Sequence, residues 1–330
     1  MRKYNLLIMA LMLLSVSSNA QKLVFNNNQS FKIVQFTDMH YEHGNPKSDT
    51  TLLTYKRVLD TEKPDLIVST GDIVTAQPVV EGWDAIAQFA IDREIPFAVT
   101  FGNHDDEHGL TRSELAKLIT QYPYNVNTLR EDGVGYNLNN VLQIYGSKHN
   151  MKTLANIYLI DSKAYSTLNG VGGYGWIPSE TIDWYKKQSI HFTINNNMQP
   201  IPALAFFHIQ LPEFKVAYDD EKNVRFGERL EKECAQELNS GMFLAMKEMG
   251  DVFGVFTGHD HVNNYIVDYY NTALAYGCFS GWKTTYVAET NGARVIVLKE
   301  GQREFNTWLH LMDGKIKDNV TYPKDFKTKE

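Results

Sequence analysis

Cysteine is nearly absent from this chain: Cys234 and Cys278 are the only two among 330 residues. A domain of this size needs no bridge for stability, so the two read as buried thiols, with a disulfide as the alternative in an exported chain. A cationic surface is also missing, since 32 Lys and Arg stand against 39 Asp and Glu, a net charge of −7 with no basic patch. That argues against a nucleic-acid-binding face and leaves small or locally captured substrates as the expectation. Long apolar runs are absent beyond Leu6 to Val16, which falls short of the about 20 residues a bilayer crossing needs. Between Gln21 and Leu298 there is no repeat, low-complexity tract or linker, so 21–330 is expected to form a single catalytic domain. Nothing in the residues sets an oligomeric state.

The short run has another explanation. Arg2 and Lys3 precede it and Ser18-Asn19-Ala20 follow it, the pattern of a signal peptide over residues 1–20 cleaved after Ala20. The mature protein is then expected to be periplasmic or secreted, without a transmembrane segment.

Phe31 to Thr37 is rich in β-branched and aromatic residues and reads as a strand ending at Asp38-Met39-His40. Leu52, Leu53, Val58 and Leu59 have helical spacing between Thr50 and Thr61; Pro64 closes that helix before a buried strand, Asp65 to Thr70, ending in Gly71-Asp72. Trp83 to Arg93 repeats the helical pattern, Ile95 to Thr100 is a third strand, and Gly102 lets the chain turn sharply into Asn103-His104-Asp105. Thr111 and Glu114 form a capping box for a helix reaching Gln121. This alternation predicts a layered α/β sheet.

Asn139 to Gly146 and Asn156 to Ile160 read as adjacent antiparallel strands, Gly170 to Trp176 as an aromatic, Gly-rich loop near the site, and Pro178 as the start of a helix. Pro202 to Phe207 is a strand ending in His208, and Leu211 to Arg225 lacks periodicity and reads as a long loop. Glu228 to Met249 reads as a helix interrupted at Asn239-Ser240-Gly241. Val252 to Thr257 is a strand ending in Gly258-His259-Asp260-His261. Thr272 to Ala275 and Ala293 to Leu298 are two further strands, and 301–330 is expected to be a C-terminal extension with a docking role.

Each polar cluster alone has an ordinary explanation as a helix cap or a satisfied histidine. Five of them, each behind a buried strand, do not. Carboxylate, imidazole and amide oxygen are the donors of a hard or borderline divalent pair. In extended chain, residues two apart point the same way, so Asp38 with His40, and His259 with His261, can face a shared centre. Two ions about 3.5 to 4 Å apart need a bridging ligand, and the two oxygens of Asp72 suit that position.

The order D-x-H, GD, GNH, H, GHxH resembles the calcineurin-like metallophosphoesterase superfamily. Glu62-Lys63-Pro64-Asp65-Leu66-Ile67-Val68, Gly173-Tyr174-Gly175-Trp176-Ile177, Ala205 to Glu213 and Val255 to His261 look like its purple-acid-phosphatase-like branch known from yeast and plants. The resemblance covers about Phe31 to Leu298. It implies an α-β-β-α sandwich of two mixed sheets flanked by helices. It further implies one metal held by Asp38, His40 and His261, a second held by Asn103, His208 and His259, and Asp72 between them. His104 would face the scissile phosphate as the catalytic residue, and Asp105 would orient a histidine. The activity implied is phosphomonoester hydrolysis by in-line attack of a metal-bridging hydroxide. A phosphodiesterase on the same centre and a non-catalytic binding scaffold are the alternatives.

The chain departs from the superfamily pattern at Thr75, where GD-x-x-D, or GD-x-x-Y in the purple enzymes, is usual. The tyrosine that colours ferric iron is therefore missing, and the metal pair stays open among Fe, Zn and Mn. Tyr41, His43, His108, Tyr174, Trp176 and Trp282 are either ordinary loop packing or a rim on which a nucleobase or sugar stacks.

Overall fold

The computed structural model describes residues 21–131, 135–148, 151–282 and 291–327. The expected signal peptide, 1–20, lies outside them. Among the described residues no helix is long and apolar enough to cross a membrane.

The chain opens with β1 (Leu23–Val24) and β2 (Ser30–Phe36), then alternates α1 (Asp49–Glu62), β3 (Leu66–Thr70), α2 (Val79–Ile91), β4 (Phe97–Thr100) and α3 (Arg112–Ile119). A short pair, β5 (Arg130–Glu131) and β6 (Tyr136–Asn137), leads to the antiparallel β7 (Asn140–Tyr145) and β8 (Thr153–Leu159). Then come α4 (Ser179–Asn195), β9 (Ala203–Phe206), α5 (Glu213–Asp219), β10 (Arg225–Phe226), α6 (Met242–Met249) and β11 (Val252–Thr257). The chain closes with β12 (Ile266–Asp268), β13 (Ala273–Tyr276), β14 (Gly292–Lys299), β15 (Phe305–Leu311) and β16 (Ile316–Tyr322).

Two mixed sheets result, ordered β1-β7-β8-β9-β11-β13-β12-β10 and β16-β15-β14-β2-β3-β4. Strand alternation decides what each face meets. Phe31, Ile33, Leu66 and Val68 point between the sheets, into a core shared with Ile157, Leu159, Phe206 and Phe256. Their neighbours Val34, Phe36 and Ile67 point outward, under Tyr55, Val58, Trp83 and Leu115 of α1, α2 and α3. On the other side Tyr158, Ala205 and Val255 lie under Ile182, Phe214 and Met246 of α4, α5 and α6. This is the α-β-β-α sandwich, and burial on both faces explains the unbroken apolar runs of the inner strands. The Thr111/Glu114 capping box forms at both of its bonds.

Four readings need correction. Within Leu211 to Arg225, Glu213–Asp219 is helical and buries Phe214 and Ala217; two turns carry too few apolar residues to show a period. Residues 228–241 are not helical, because side chains from across the fold take their backbone amides. Asn263 Oδ1 accepts from Leu230 and Glu231, Asn264 Oδ1 from Glu228, and Asp260 Oδ1 from Cys234. The stretch after Glu300 supplies β15 and β16, so it is part of a sheet. No disulfide joins Cys234 and Cys278, and only Cys278 is buried; Cys234 is exposed, against the reading of two buried thiols.

Glu62 ties α1 to the added strands. Its buried carboxylate accepts from Lys32 Nζ (3.0 Å), Trp308 Nε1 (3.1 Å) and His310 Nδ1 (2.6 Å). Burial opposes its ionisation, but the bonds from His310, Lys32 and Trp308 outweigh that and hold the group down at about 2. A depressed carboxyl stabilises the fold above its unfolded pKa and loses that contribution as pH falls through the folded value. Glu62→Gln is therefore expected to cost about 1 to 3 kcal/mol in urea unfolding at pH 7, and the gap to wild type should narrow between pH 4 and pH 2. A gap independent of pH would refute the charge-assisted reading.

Candidate metal centre

Strands β2, β3 and β4 run parallel in one sheet, as do β9 and β11 in the other. Their carboxyl ends deliver Asp38 and His40, Asp72, Asn103 and His104, His208, and His259 and His261 to one place. Two glycines make the approach possible. A Cβ at Gly102 would fall on the Asp72 side chain, and one at Gly258 on the Thr37 hydroxyl.

The turns are strained. Asp38 (φ 52°), His40 (φ 40°), Asp72 (φ 53°) and His259 (φ 76°) all adopt left-handed backbone, at about 1 to 2 kcal/mol each for residues with a Cβ. Cross-strand bonds hold them there: Asp38 N to Gly71 O, His40 N to Asp72 O and Gly258 N to His208 O, each 3.0 Å.

The donors form two groups, Asp38 with His40 and His261, and Asp72 with His208 and His259, each converging within 4.8 Å. His40 Nε2 lies 3.1 Å from His261 Nε2, which is 3.4 Å from Asp38 Oδ1. His208 Nε2 lies 3.1 Å from Asn103 Oδ1, 3.2 Å from Asp72 Oδ2 and 3.3 Å from His259 Nδ1. Ligands about 2.1 Å from one ion stand about 3 to 3.5 Å from each other, so these spacings fit metal binding. Asp72 Oδ2 also lies 3.9 Å from His40 Nε2 and so faces both groups. Its other oxygen accepts the His104 amide at 2.8 Å. One oxygen rather than two is thus available to both groups.

The charges also suit cations. Burial would raise Asp38, yet His208 and His261 hold it at about 2, and Asp72, mainly through His208, sits lower still. Burial pushes His40 down to about 4 and His259 to about 3, the latter with help from His208. His208 is pushed up to about 9, because Asp72 and Asp38 outweigh its burial, and Asp38 raises His261 as well. In the ion-free protein the raised His208 and His261 thus set positive charge against the buried carboxylates, the charge a metal would supply. His208 Nδ1 donates to Thr70 O at 2.8 Å, which keeps Nε2 for a ligand role.

The family model for calcineurin-like phosphoesterases matches residues 31–263. The chain belongs to that family. A protein of Arabidopsis thaliana named probable inactive purple acid phosphatase 29 is 34% identical over 93% of this chain and 85% of its own length. Phosphatase DCR2 of Saccharomyces cerevisiae is 30% identical over 90% of this chain and 56% of its own. The fold is also that of a dimetal phosphatase from Danio rerio, with TM-score 0.60, 10% identity, and 88% of this chain and 98% of that one covered.

Around these donors, several supports escaped the sequence. Thr37 Oγ1 donates to Asp38 Oδ2 at 2.7 Å, and the His259 amide reaches both oxygens of the same carboxylate. Asp260 fixes the turn between His259 and His261 through Gln210, Asn263 and Tyr276. Asp105 does not orient a histidine through a hydrogen bond: its carboxylate accepts the amides of Gly102, Asp72 and Ile73. Burial and the Asp72 charge push Asp105 up to about 6.

His104 stands beside the donors, its ring centre 5.7 Å from that of His40 and its side chain 39% exposed. Its Nδ1 meets Glu107 Oε2 at 2.6 Å, and Glu107 Oε1 accepts from Tyr165 at 2.9 Å. Nothing in the motif marks Glu107. Of the loop aromatics, Tyr174 stands perpendicular to the His259 ring with the ring centres 4.2 Å apart, whereas Tyr41 is buried with its hydroxyl 3.3 Å from His43.

Proposed function

We propose that this chain is a dinuclear metal-dependent phosphoester hydrolase acting mainly on monoesters. The observation that supports the reading best is Asp72 Oδ2, which belongs to one donor group, 3.2 Å from His208 Nε2, and also faces the other, 3.9 Å from His40 Nε2. Asp38, His40 and His261 would hold one ion, and Asn103, His208 and His259 the other. When bound, Fe, Zn or Mn ions polarise phosphoryl oxygens and bring the pKa of water toward neutrality. The remaining work belongs to the chain. The Thr70 carbonyl and the Thr37 hydroxyl hold His208 and Asp38 in their donor orientations. Glu107 holds His104 by Nδ1 and leaves Nε2 to steady the phosphoryl group or to protonate the departing oxygen.

Comparing hydrolysis of nitrophenyl phosphate with bis-nitrophenyl phosphate tests the reading. Faster cleavage of the bis-ester would make it a phosphodiesterase. The name of the Arabidopsis relative favours a second reading, a fold kept for binding alone. Against it stands the convergence of all seven donor side chains, with His104 beside them. With Thr75 in place of the tyrosine, the iron-loaded protein is expected to lack a visible tyrosinate-to-iron band, which an absorption spectrum checks. We also infer export, from residues 1–20 alone.

A further inference from the structure

Next to the donors lies a cavity of about 570 Å³. The segment after β4 divides the two spaces: Asn103 and His104 serve the donor side, while Asp106 and Arg112 line the cavity. Tyr165 belongs to both. Its hydroxyl is joined through Glu107 to His104, and its ring lines the cavity with Tyr136 and Trp176. The loop carrying it is well held, by Ser166 N to Gly173 O and Gly175 N to Ala164 O at 3.0 Å each, and by stacking of Tyr165 on Tyr174. Even so, Tyr165 remains 46% exposed, an open aromatic surface beside the reacting groups.

The charges of the lining narrow what fits. Three carboxylates, Asp106, Asp161 and Glu180, face two cations. Arg112 is engaged by Asp161 (3.1 Å), Asp106 (3.4 Å) and the Gly102 carbonyl (2.6 Å), and Lys163 lies 3.6 Å from Asp161. A second anionic group would meet net negative charge here, whereas a neutral planar ring meets three aromatic side chains.

We propose that this cavity is the subsite for the ester substituent and takes a neutral planar aromatic group, such as the base of a nucleoside monophosphate. It deepens the hydrolase reading and rests on it for turnover, but not for binding. Base stacking on an aromatic side chain contributes about 1 to 3 kcal/mol, or about 5- to 150-fold.

The test compares adenosine 5′-monophosphate with ribose 5-phosphate, which lacks only the base. Wild type is expected to favour the nucleotide about tenfold or more in kcat/KM, through KM. Trp176→Ala should erase that preference, and Trp176→Phe should restore most of it. Calorimetric titration of adenosine, which has no phosphate to lose, into the purified protein gives a reading independent of catalysis: binding in wild type, weakened about tenfold in Trp176→Ala. Should that variant fail to fold, Tyr136→Leu probes the same cavity. Equal loss on both substrates, or adenosine binding indifferent to these residues, would overturn the proposal. Adenosine binding through Trp176 in a protein that hydrolyses no phosphoester would keep the subsite and sink the hydrolase reading.

Discussion

Asp72→Asn is expected to lose at least one bound metal ion and to lower kcat/KM for a phosphomonoester more than about a thousandfold. The substitution is nearly isosteric and acts on one atom. Asparagine keeps an Oδ1 to accept the His104 amide, so the turn after β4 has no reason to move. It replaces Oδ2, the atom that faces both His208 and His40, by an amide nitrogen that cannot ligate. It also removes one of two buried negative charges, reducing the field that draws cations in. Elemental analysis should show the lost metal while circular dichroism shows an unchanged fold. Full occupancy with wild-type turnover would sink the dinuclear assignment.

His104→Ala is expected to keep both ions and to lower kcat by about 10²- to 10⁴-fold. The side chain is partly exposed and joins neither donor group, so its removal costs little stability. What it removes depends on the leaving group. Nitrophenolate departs without a proton, whereas an alkoxide needs one, so an alkyl phosphate should suffer far more than nitrophenyl phosphate. Equal losses on both would mean that His104 works by stabilising charge rather than by giving up a proton. Unchanged rates on both would remove it from the catalytic residues.

Much of this site can be read from the chain because its donors sit at fixed offsets from buried strands. Asp38 and His40 follow β2, Asp72 follows β3, Asn103 follows β4, His208 follows β9, and His259 and His261 follow β11. A strand buried on both faces leaves an apolar run that marks where its end must be. The helix expected over residues 228–241 failed for the opposite reason. Its composition favours a helix, but Asn263, Asn264 and Asp260 take its amides from 26 to 36 positions away. Competition of that kind leaves no local trace. The strands β15 and β16 were hidden likewise, since partly polar outer strands lack the long apolar runs of inner ones.

The sequence by itself determined the layered fold and which candidate donors stand at the strand ends, because residue types and spacing are properties of the chain alone. Only the tertiary structure decided how those donors work together. It left Asp72 one oxygen facing both donor groups by committing the other to the His104 amide, turned Asp105 from a histidine partner into a clasp for three backbone amides, and brought Glu107 and Tyr165 to His104. Each of these depends on which atoms meet when strand ends from two sheets converge. Side-chain hydrogen bonds have a reach of about 3 Å, and whether two residues fall within it is set by packing over the whole fold.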